Sequence, residues 1–229
     1  MSIVVFDIDP IYKLYSTFSS PNPEGYEIRG LDISHHQGSV DWHQLVTTHV
    51  DGHSFCFVFM KATEGGDFVD RAYADNLHQA HKLRMTCGAY HYFKPDVNPE
   101  EQARHFIAHA ALRPGDLAPV LDVEERGRLS ADSLCGLVDR WMRVVEKHYG
   151  VTPILYTGLH FRLHYLRDRM LQRYPLWIAH YSDRMGYVGD WRFWQYSQNG
   201  RAEGVSGHVD CNIFNGTLTD LRRYSIPIE

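Results

Sequence analysis

Two carboxylates stand two residues apart at the end of an apolar run, Pro119-Val120-Leu121-Asp122-Val123-Glu124-Glu125. Side chains alternate along a strand, so Asp122 and Glu124 share one face while Val123 points away. Carboxyls placed in this way come within roughly 5–7 Å of each other. Their repulsion raises the pKa of one member. One protonated and one ionised carboxyl at the same pH is what general acid catalysis at a glycosidic bond requires. A solvated strand end also produces D-x-E by chance, so the pattern alone decides nothing.

Two further strand-like segments change that balance. Gly30-Leu31-Asp32-Ile33-Ser34 puts Asp32 and Ser34 on one face, and His208-Val209-Asp210-Cys211-Asn212 interrupts an apolar run with Asp210. Aromatic residues attend the same kind of position: Tyr90, Tyr92, Tyr156, Trp177, Tyr181 and Trp194, the last followed by Gln195. Some of these rings must fill a core, and others suit the walls of a sugar-binding cleft. Asp122, Glu124, Asp32 and Asp210 are therefore the catalytic candidates. Tyr90, Tyr92, Tyr156, Trp177, Trp194, Gln195 and Ser34 are the substrate-binding candidates.

Other chemistries find no support. His78/His81 and His105/His109 have helical spacing but no acidic or cysteine companions in a metal pattern, so they are read as surface or packing residues. His35, His36 and His208 neighbour the acidic residues and are candidates to tune them or to contact substrate. No nucleophile elbow of the G-x-S-x-G type occurs, and no G-x-G-x-x-G or Walker sequence follows a strand. A net charge of −5 without a basic run excludes a nucleic-acid footprint. The four cysteines (56, 87, 135 and 211) are far apart and read as small buried hydrophobes, although Cys56 and Cys87 lie on consecutive strands and could pair.

These residues need a scaffold that gathers strand ends. Strand-like runs cover residues 28–33, 55–61, 86–93, 117–123, 154–156, 176–180, 191–196 and 208–214, and helical spacing covers 70–84, 99–111 and 131–149. Alternation of strand and helix predicts a parallel sheet, and eight strands in one domain of this length suit a closed barrel. Helices thin out after Gly158, which predicts an α/β fold, an irregular (β/α) barrel of about eight strands with fewer than eight helices. Active sites of such barrels gather at the C-terminal ends of the strands. Residues 1–25, closing on Ser19-Ser20-Pro21-Asn22-Pro23, read as an extension or linker, and 26–229 as the catalytic domain. The N-terminus has neither the basic start nor the apolar core of a signal peptide.

The motifs together resemble the family 25 lysozymes among glycoside hydrolases. Residues 30–38 with Val40-Asp41-Trp42 resemble the opening motif, and Phe59-Met60-Lys61-Ala62-Thr63-Glu64-Gly65 the second-strand signature. Gly88-Ala89-Tyr90-His91-Tyr92-Phe93 resembles the third strand and residues 119–124 the catalytic one. Trp194-Gln195-Tyr196 and Val209-Asp210-Cys211-Asn212-Ile213-Phe214-Asn215-Gly216 resemble the closing strands, so the likeness runs from about Tyr26 to Gly216. It implies hydrolysis of the β-1,4 bond between N-acetylmuramic acid and N-acetylglucosamine in bacterial peptidoglycan, with no cofactor or metal, by a monomer. It further implies Glu124 as general acid/base, Asp122 as the second catalytic carboxylate, and Asp32 and Asp210 as acidic residues lining the site. Such a substrate places the protein in the cell envelope or outside the cell. Two competing readings are a chitinase-like or N-acetylhexosaminidase activity, which turnover of chitin oligomers alone would reveal, and a non-catalytic glycan-binding barrel, against which the intact carboxylates argue.

Overall fold

The computed structural model of the chain describes residues 21–47, 49–50 and 53–228. In chain order the strands are β1 (Ile28–Ile33), β2 (His49–Val50), β3 (His53–Glu64), β4 (Phe68–Val69), β5 (Thr86–Tyr92), β6 (Val120–Asp122), β7 (Ile154–Gly158), β8 (Leu176–Ala179), β9 (Phe193–Gly200) and β10 (Val209–Phe214). Eight of them close into a barrel in the order β1-β3-β5-β6-β7-β8-β9-β10 and back to β1. Neighbours from β1 to β9 are parallel, whereas β10 runs antiparallel to both β9 and β1. The short β2 and β4 pair antiparallel with the two ends of β3. The extension read over residues 1–25 lies outside the described residues as far as Ser20, while Asn22 already donates its amide to Asp183 Oδ1.

Six α-helices occur among the described residues: α1 (Trp42–Leu45), α2 (Tyr73–Lys82), α3 (Pro99–Ala110), α4 (Ala131–Tyr149), α5 (Leu159–Tyr165) and α6 (Leu218–Leu221). Their ends follow local chemistry. Asn98 caps α3 through the Glu101 amide, with Pro99 in the first turn, where its missing N–H goes unused. Ser130 caps the start of α4, and Gly150 ends it at φ +68°. Leu134, Val138, Trp141, Met142 and Val145 recur at helical spacing along α4 and bury its inner face.

The antiparallel closure differs from an all-parallel expectation, and its cause is the missing helix. Only residues 201–208 join β9 to β10, too few for a parallel crossover but ample for an antiparallel return. The strand expected over 117–123 contracts to Val120–Asp122. Pro119 has no N–H to give, and the amides of Leu117 and Ala118 go to Cys87 O and Tyr224 O. None of the four cysteines forms a disulfide. Cys56 packs towards the barrel interior and Cys87 towards the helical shell, so the two thiols lie on opposite faces of the sheet.

Two layers of core flank the barrel wall. Outward residues such as Leu31, Val58, Leu121, Ile178 and Trp194 pack under the helices. Inward residues fill the lower barrel with rings: Phe57, Phe59, Trp177, Phe193 and Phe214. Phe59 stacks on Trp177 at 4.7 Å, and Phe57 meets Phe193 edge-on at 5.6 Å. Glycine makes room for them. A Cβ on Gly30 would stand 2.4 Å from the Phe57 ring, and one on Gly88 2.7 Å from that of Phe59. Gly30→Ala should therefore destabilise the fold by about 1–3 kcal/mol through overpacking. Thermal unfolding should show a Tm lower by about 2–4 °C per kcal/mol for a chain of this size. An unchanged Tm would mean that the Phe57 ring is free to move aside.

Candidate active site

Above the aromatic floor the interior turns acidic. A cavity of about 250 Å³ opens at the C-terminal ends of the parallel strands, lined by Asp32, Tyr90, Asp122, Glu124, Tyr156, Trp177, Tyr181, Gln195, Gln198 and Asp210. All four catalytic candidates meet there. Asp32 is the next-to-last residue of β1, Asp122 ends β6, and Glu124 lies just after it. Asp210 reaches the same rim from the beginning of β10, because that strand runs the other way. Asp32 and Asp210 are direct cross-strand partners.

Asp32 is the most heavily tied of the four. Its Oδ2 accepts Gln195 Nε2 at 2.8 Å and Asn212 Nδ2 at 2.7 Å. Gln195 Oε1 in turn accepts the hydroxyls of Tyr156 at 2.9 Å and Tyr181 at 3.0 Å, and Asn212 Oδ1 accepts Trp177 Nε1 at 2.8 Å. An amide offers one donor side and one acceptor side, so these bonds fix which end of Gln195 and Asn212 faces the carboxylate.

Burial raises all four acids, and proximity decides how protons divide. The Asp210 carboxyl is pushed up to about 9, first by desolvation and then by the charge of Asp32. Burial also raises Asp32, but hydrogen bonds from Asn212, Gln195 and Asp210 counter it. Within this pair Asp210 is accordingly the hydrogen-bonding acid and Asp32 the acceptor that ionises first. Asp122 is raised by desolvation and then by the charge of Glu124, to which it is hydrogen-bonded, and burial raises Glu124 as well. Two buried acids in contact titrate as a unit and keep one proton between them near neutrality. Asp122 Oδ1 is enclosed and has no donor among the amides, hydroxyls or ammonium groups around it. Lys61, bonded to Glu64 at 2.6 Å, is the nearby positive charge that partly offsets the repulsion.

The binding candidates divide. Tyr90, Tyr156, Trp177 and Gln195 line the cavity, although Trp177 is only 2% exposed and forms its floor. Tyr92 stands half-buried at the rim, with Lys61 Nζ 5.0 Å and Lys94 Nζ 4.7 Å from its ring centre. Two candidates do not join them. Trp194 alternates with Gln195, so its ring lies outside the barrel wall, fully buried, with Nε1 on His180 O at 2.7 Å. Ser34 lies past the end of β1, where its hydroxyl caps the turn over residues 35–37 by accepting the His36 amide.

The three histidines near the acids are engaged elsewhere. His35 Nδ1 pairs with Asp70 at 2.7 Å, His36 lies in the capped turn, and His208 Nδ1 contacts Asn199 O at 3.2 Å. Gln198 was not signalled by the sequence. Register slips between β9 and β10 set it facing the cavity, which no period of two reveals. Tyr181 follows β8 as one of the rings near strand ends, and its bond to Gln195 distinguishes it.

Comparison with known proteins agrees with this geometry. Residues 31–205 match the model of the family described as "Glycosyl hydrolases family 25". An uncharacterized protein of Escherichia coli (strain K12) is 39% identical over 93% of this chain and 79% of its own length. Lysozyme M1 of Streptomyces globisporus is 30% identical over 85% of this chain and 70% of its own. A family 25 glycosyl hydrolase from Bacillus anthracis superposes with a TM-score of 0.79 at 30% identity, covering 90% of this chain and 97% of that one. The bacterial lysozyme of Streptomyces coelicolor superposes at 0.78 with 27% identity, covering 86% and 96%. With the family match spanning most of the barrel and four acids gathered at its mouth, the chain belongs to glycosyl hydrolase family 25 and is a glycoside hydrolase of the lysozyme kind.

Proposed function

We propose that this enzyme cuts the β-1,4 bond between N-acetylmuramic acid and N-acetylglucosamine with retention, using Glu124 as acid/base and the substrate's own 2-acetamido group as nucleophile. The observation that carries the proposal is the buried, hydrogen-bonded Asp122–Glu124 pair, both of whose carboxyls are raised by desolvation, together with Asp122 Oδ1, which lacks a donor. An acetamido N–H arriving at Oδ1 would favour the charged form of Asp122 and so shift the shared proton towards Glu124. Glu124 then gives that proton to the leaving glycosidic oxygen while the acetamido carbonyl oxygen closes on the anomeric carbon. In the second half, the Glu124 carboxylate takes a proton from water as the water attacks that carbon and reopens the ring. Asp122 balances the positive charge of the cyclic intermediate throughout. Asp122, at the end of β6, stands two residues from Glu124 along one segment rather than across the sugar, which favours this route over direct attack by Asp122.

Tyr90, Tyr156, Tyr181 and Gln195 would bound the sugar around the reacting centre, with Tyr92 and Gln198 at the rim. Asp32, locked by two amides, supplies a fixed negative charge opposite the developing oxocarbenium character. Action on cell-wall glycan places the enzyme in the envelope or outside the cell. No helix among the described residues is long and apolar enough to cross a membrane.

Digestion of purified peptidoglycan should release fragments ending in reducing N-acetylmuramic acid. Ends in N-acetylglucosamine or anhydro-muramic acid, read by mass spectrometry, would overturn this assignment. In the same assay Glu124→Gln should lower kcat by ~10² to 10⁴-fold, the usual weight of general acid catalysis.

Asp122→Asn tests the nucleophile. It keeps the shape but loses the charge, so activity should fall steeply, and a thiazoline mimic of the cyclic intermediate should inhibit the wild type while binding the variant much more weakly. A glycosyl ester on Asp122, trapped with a 2-fluoro sugar and found by peptide mass, would establish direct attack instead.

Asp210 makes stability depend on pH in a defined direction. Its carboxyl titrates near 9 in the folded chain, against an ordinary 3.8. Below about pH 4 it is protonated in both states and has no effect; between about 4 and 9 the unfolded chain releases a proton that the folded chain keeps, so stability falls as pH rises. Asp210→Asn removes this penalty and still offers an N–H to Asp32. Its Tm should exceed the wild type's at pH 8 by several degrees, for a gain of about 1–3 kcal/mol, and the two should converge at pH 4. A parallel offset at both pH values would assign the effect to packing.

A further inference from the structure

At the barrel end opposite the carboxylates, three side chains from separate elements converge. His81 lies in the last turn of α2, Cys87 is the second residue of β5, and Asp116 lies in the loop before β6. Their ligating atoms all lie within 4.8 Å of one another, with His81 Nε2 2.8 Å and Cys87 Sγ 3.6 Å from Asp116 Oδ1. Cys87 is fully buried, Asp116 nearly so, and the His81 side chain is 15% exposed. The backbone holds two of the three in place: Cys87 O accepts the Leu117 amide, Asp116 O accepts the Ile226 amide, and Asp116 N donates to Arg113 O. The Arg113 amide also donates to Asp116 Oδ2 at 2.9 Å, while His81 Nε2 lies against both oxygens, 2.8 Å from Oδ1 and 3.0 Å from Oδ2, and the thiol faces Oδ1.

We propose that His81, Cys87 and Asp116 form a binding site for a zinc-class divalent cation, with water from the His81 side as the fourth ligand. One imidazole, one thiolate and one carboxylate are the donor types that zinc takes, at about 2.0–2.3 Å each. Tetrahedral coordination at those lengths separates ligand atoms by roughly 3.3–3.7 Å. The Cys87–Asp116 separation already fits, the His81–Asp116 pair needs to open by about half an ångström, and the His81–Cys87 pair, within 4.8 Å, needs to settle to the same range, movements that the imidazole near the end of α2 can supply. Without metal, the thiol and imidazole N–H groups satisfy Asp116. Binding would release one proton, that of the Cys87 thiol, while the imidazole proton moves to Nδ1. The cation would tie the end of α2 to the start of β5 and to the loop entering β6, far from the acids, and so acts on stability and not on the reaction. The ligands are scattered in sequence, which is why the His78/His81 spacing alone carries no metal signature.

Cobalt(II), which takes zinc sites and reports its ligands by colour, tests this on the wild-type enzyme directly. Titration should produce a near-ultraviolet thiolate-to-cobalt band that saturates at about one equivalent and is abolished by zinc. Cys87→Ser should lack the band. Asp116→Asn and His81→Gln should weaken binding by more than the roughly 10–100-fold that loss of an outer-shell partner causes. Zinc at about 100 times its Kd should raise the wild-type Tm by about 5–10 °C and leave that of Cys87→Ser unmoved. Absence of the thiolate band in the wild type, or its persistence in Cys87→Ser, overturns the proposal without reliance on how well any variant folds.

Discussion

Asp32 Oδ2 accepts two amide N–H groups at once, from Gln195 and Asn212, at the seam where β10 closes the barrel against β1. Much of the site depends on this one junction. It pins the inward faces of β9 and β10 to β1 through side chains as well as the backbone ladder. Through Gln195 it sets the hydroxyls of Tyr156 and Tyr181, and through Asn212 the indole of Trp177. It also counters the burial that raises the Asp32 carboxyl, and the charge of Asp32 in turn raises that of Asp210. A carboxylate without those two amides would be an uncompensated buried ion.

Most of the fold was legible in the sequence because its signals are local. The eight strands and the three long helices follow from apolar periodicity, and the loss of helices after Gly158 foretold an irregular barrel. The direction of the last strand was not visible, since antiparallel closure is a property of a short connection and a packed partner. Asp210 was nonetheless expected at the right rim. It arrives there at the start of a reversed strand rather than at the end of a forward one.

Within the site, types of residue were easier to read than directions. Asp122 and Glu124 obey simple alternation and share a face as expected. Trp194 obeys the same rule with the opposite result, since its neighbour Gln195 takes the inward position and the indole goes to the helical shell. Ser34 escapes the rule because the strand ends before it, and its hydroxyl is spent on a cap. Gln198 lies beyond register slips, which re-aim a side chain without leaving a trace in the sequence pattern. Alternation is reliable only while the ladder is regular, and this site is built where the ladder stops being so.

The division of the barrel interior joins stability to function. Below, Phe57, Phe59, Trp177, Phe193 and Phe214 fill the space with rings. Desolvation by burial in the barrel is the first cause of the raised pKa of every acid in the cavity above them. The same packing that stabilises the barrel therefore creates the strain stored among its carboxyls, and neither could be adjusted alone. A more polar floor would hydrate the acids and let all of them ionise, at which point Glu124 would have no proton to give. A barrel without the acids would be more stable and chemically inert. The glycines at 30 and 88 serve this arrangement at one remove, since only their missing side chains let Phe57 and Phe59 reach the axis and close the floor beneath the site.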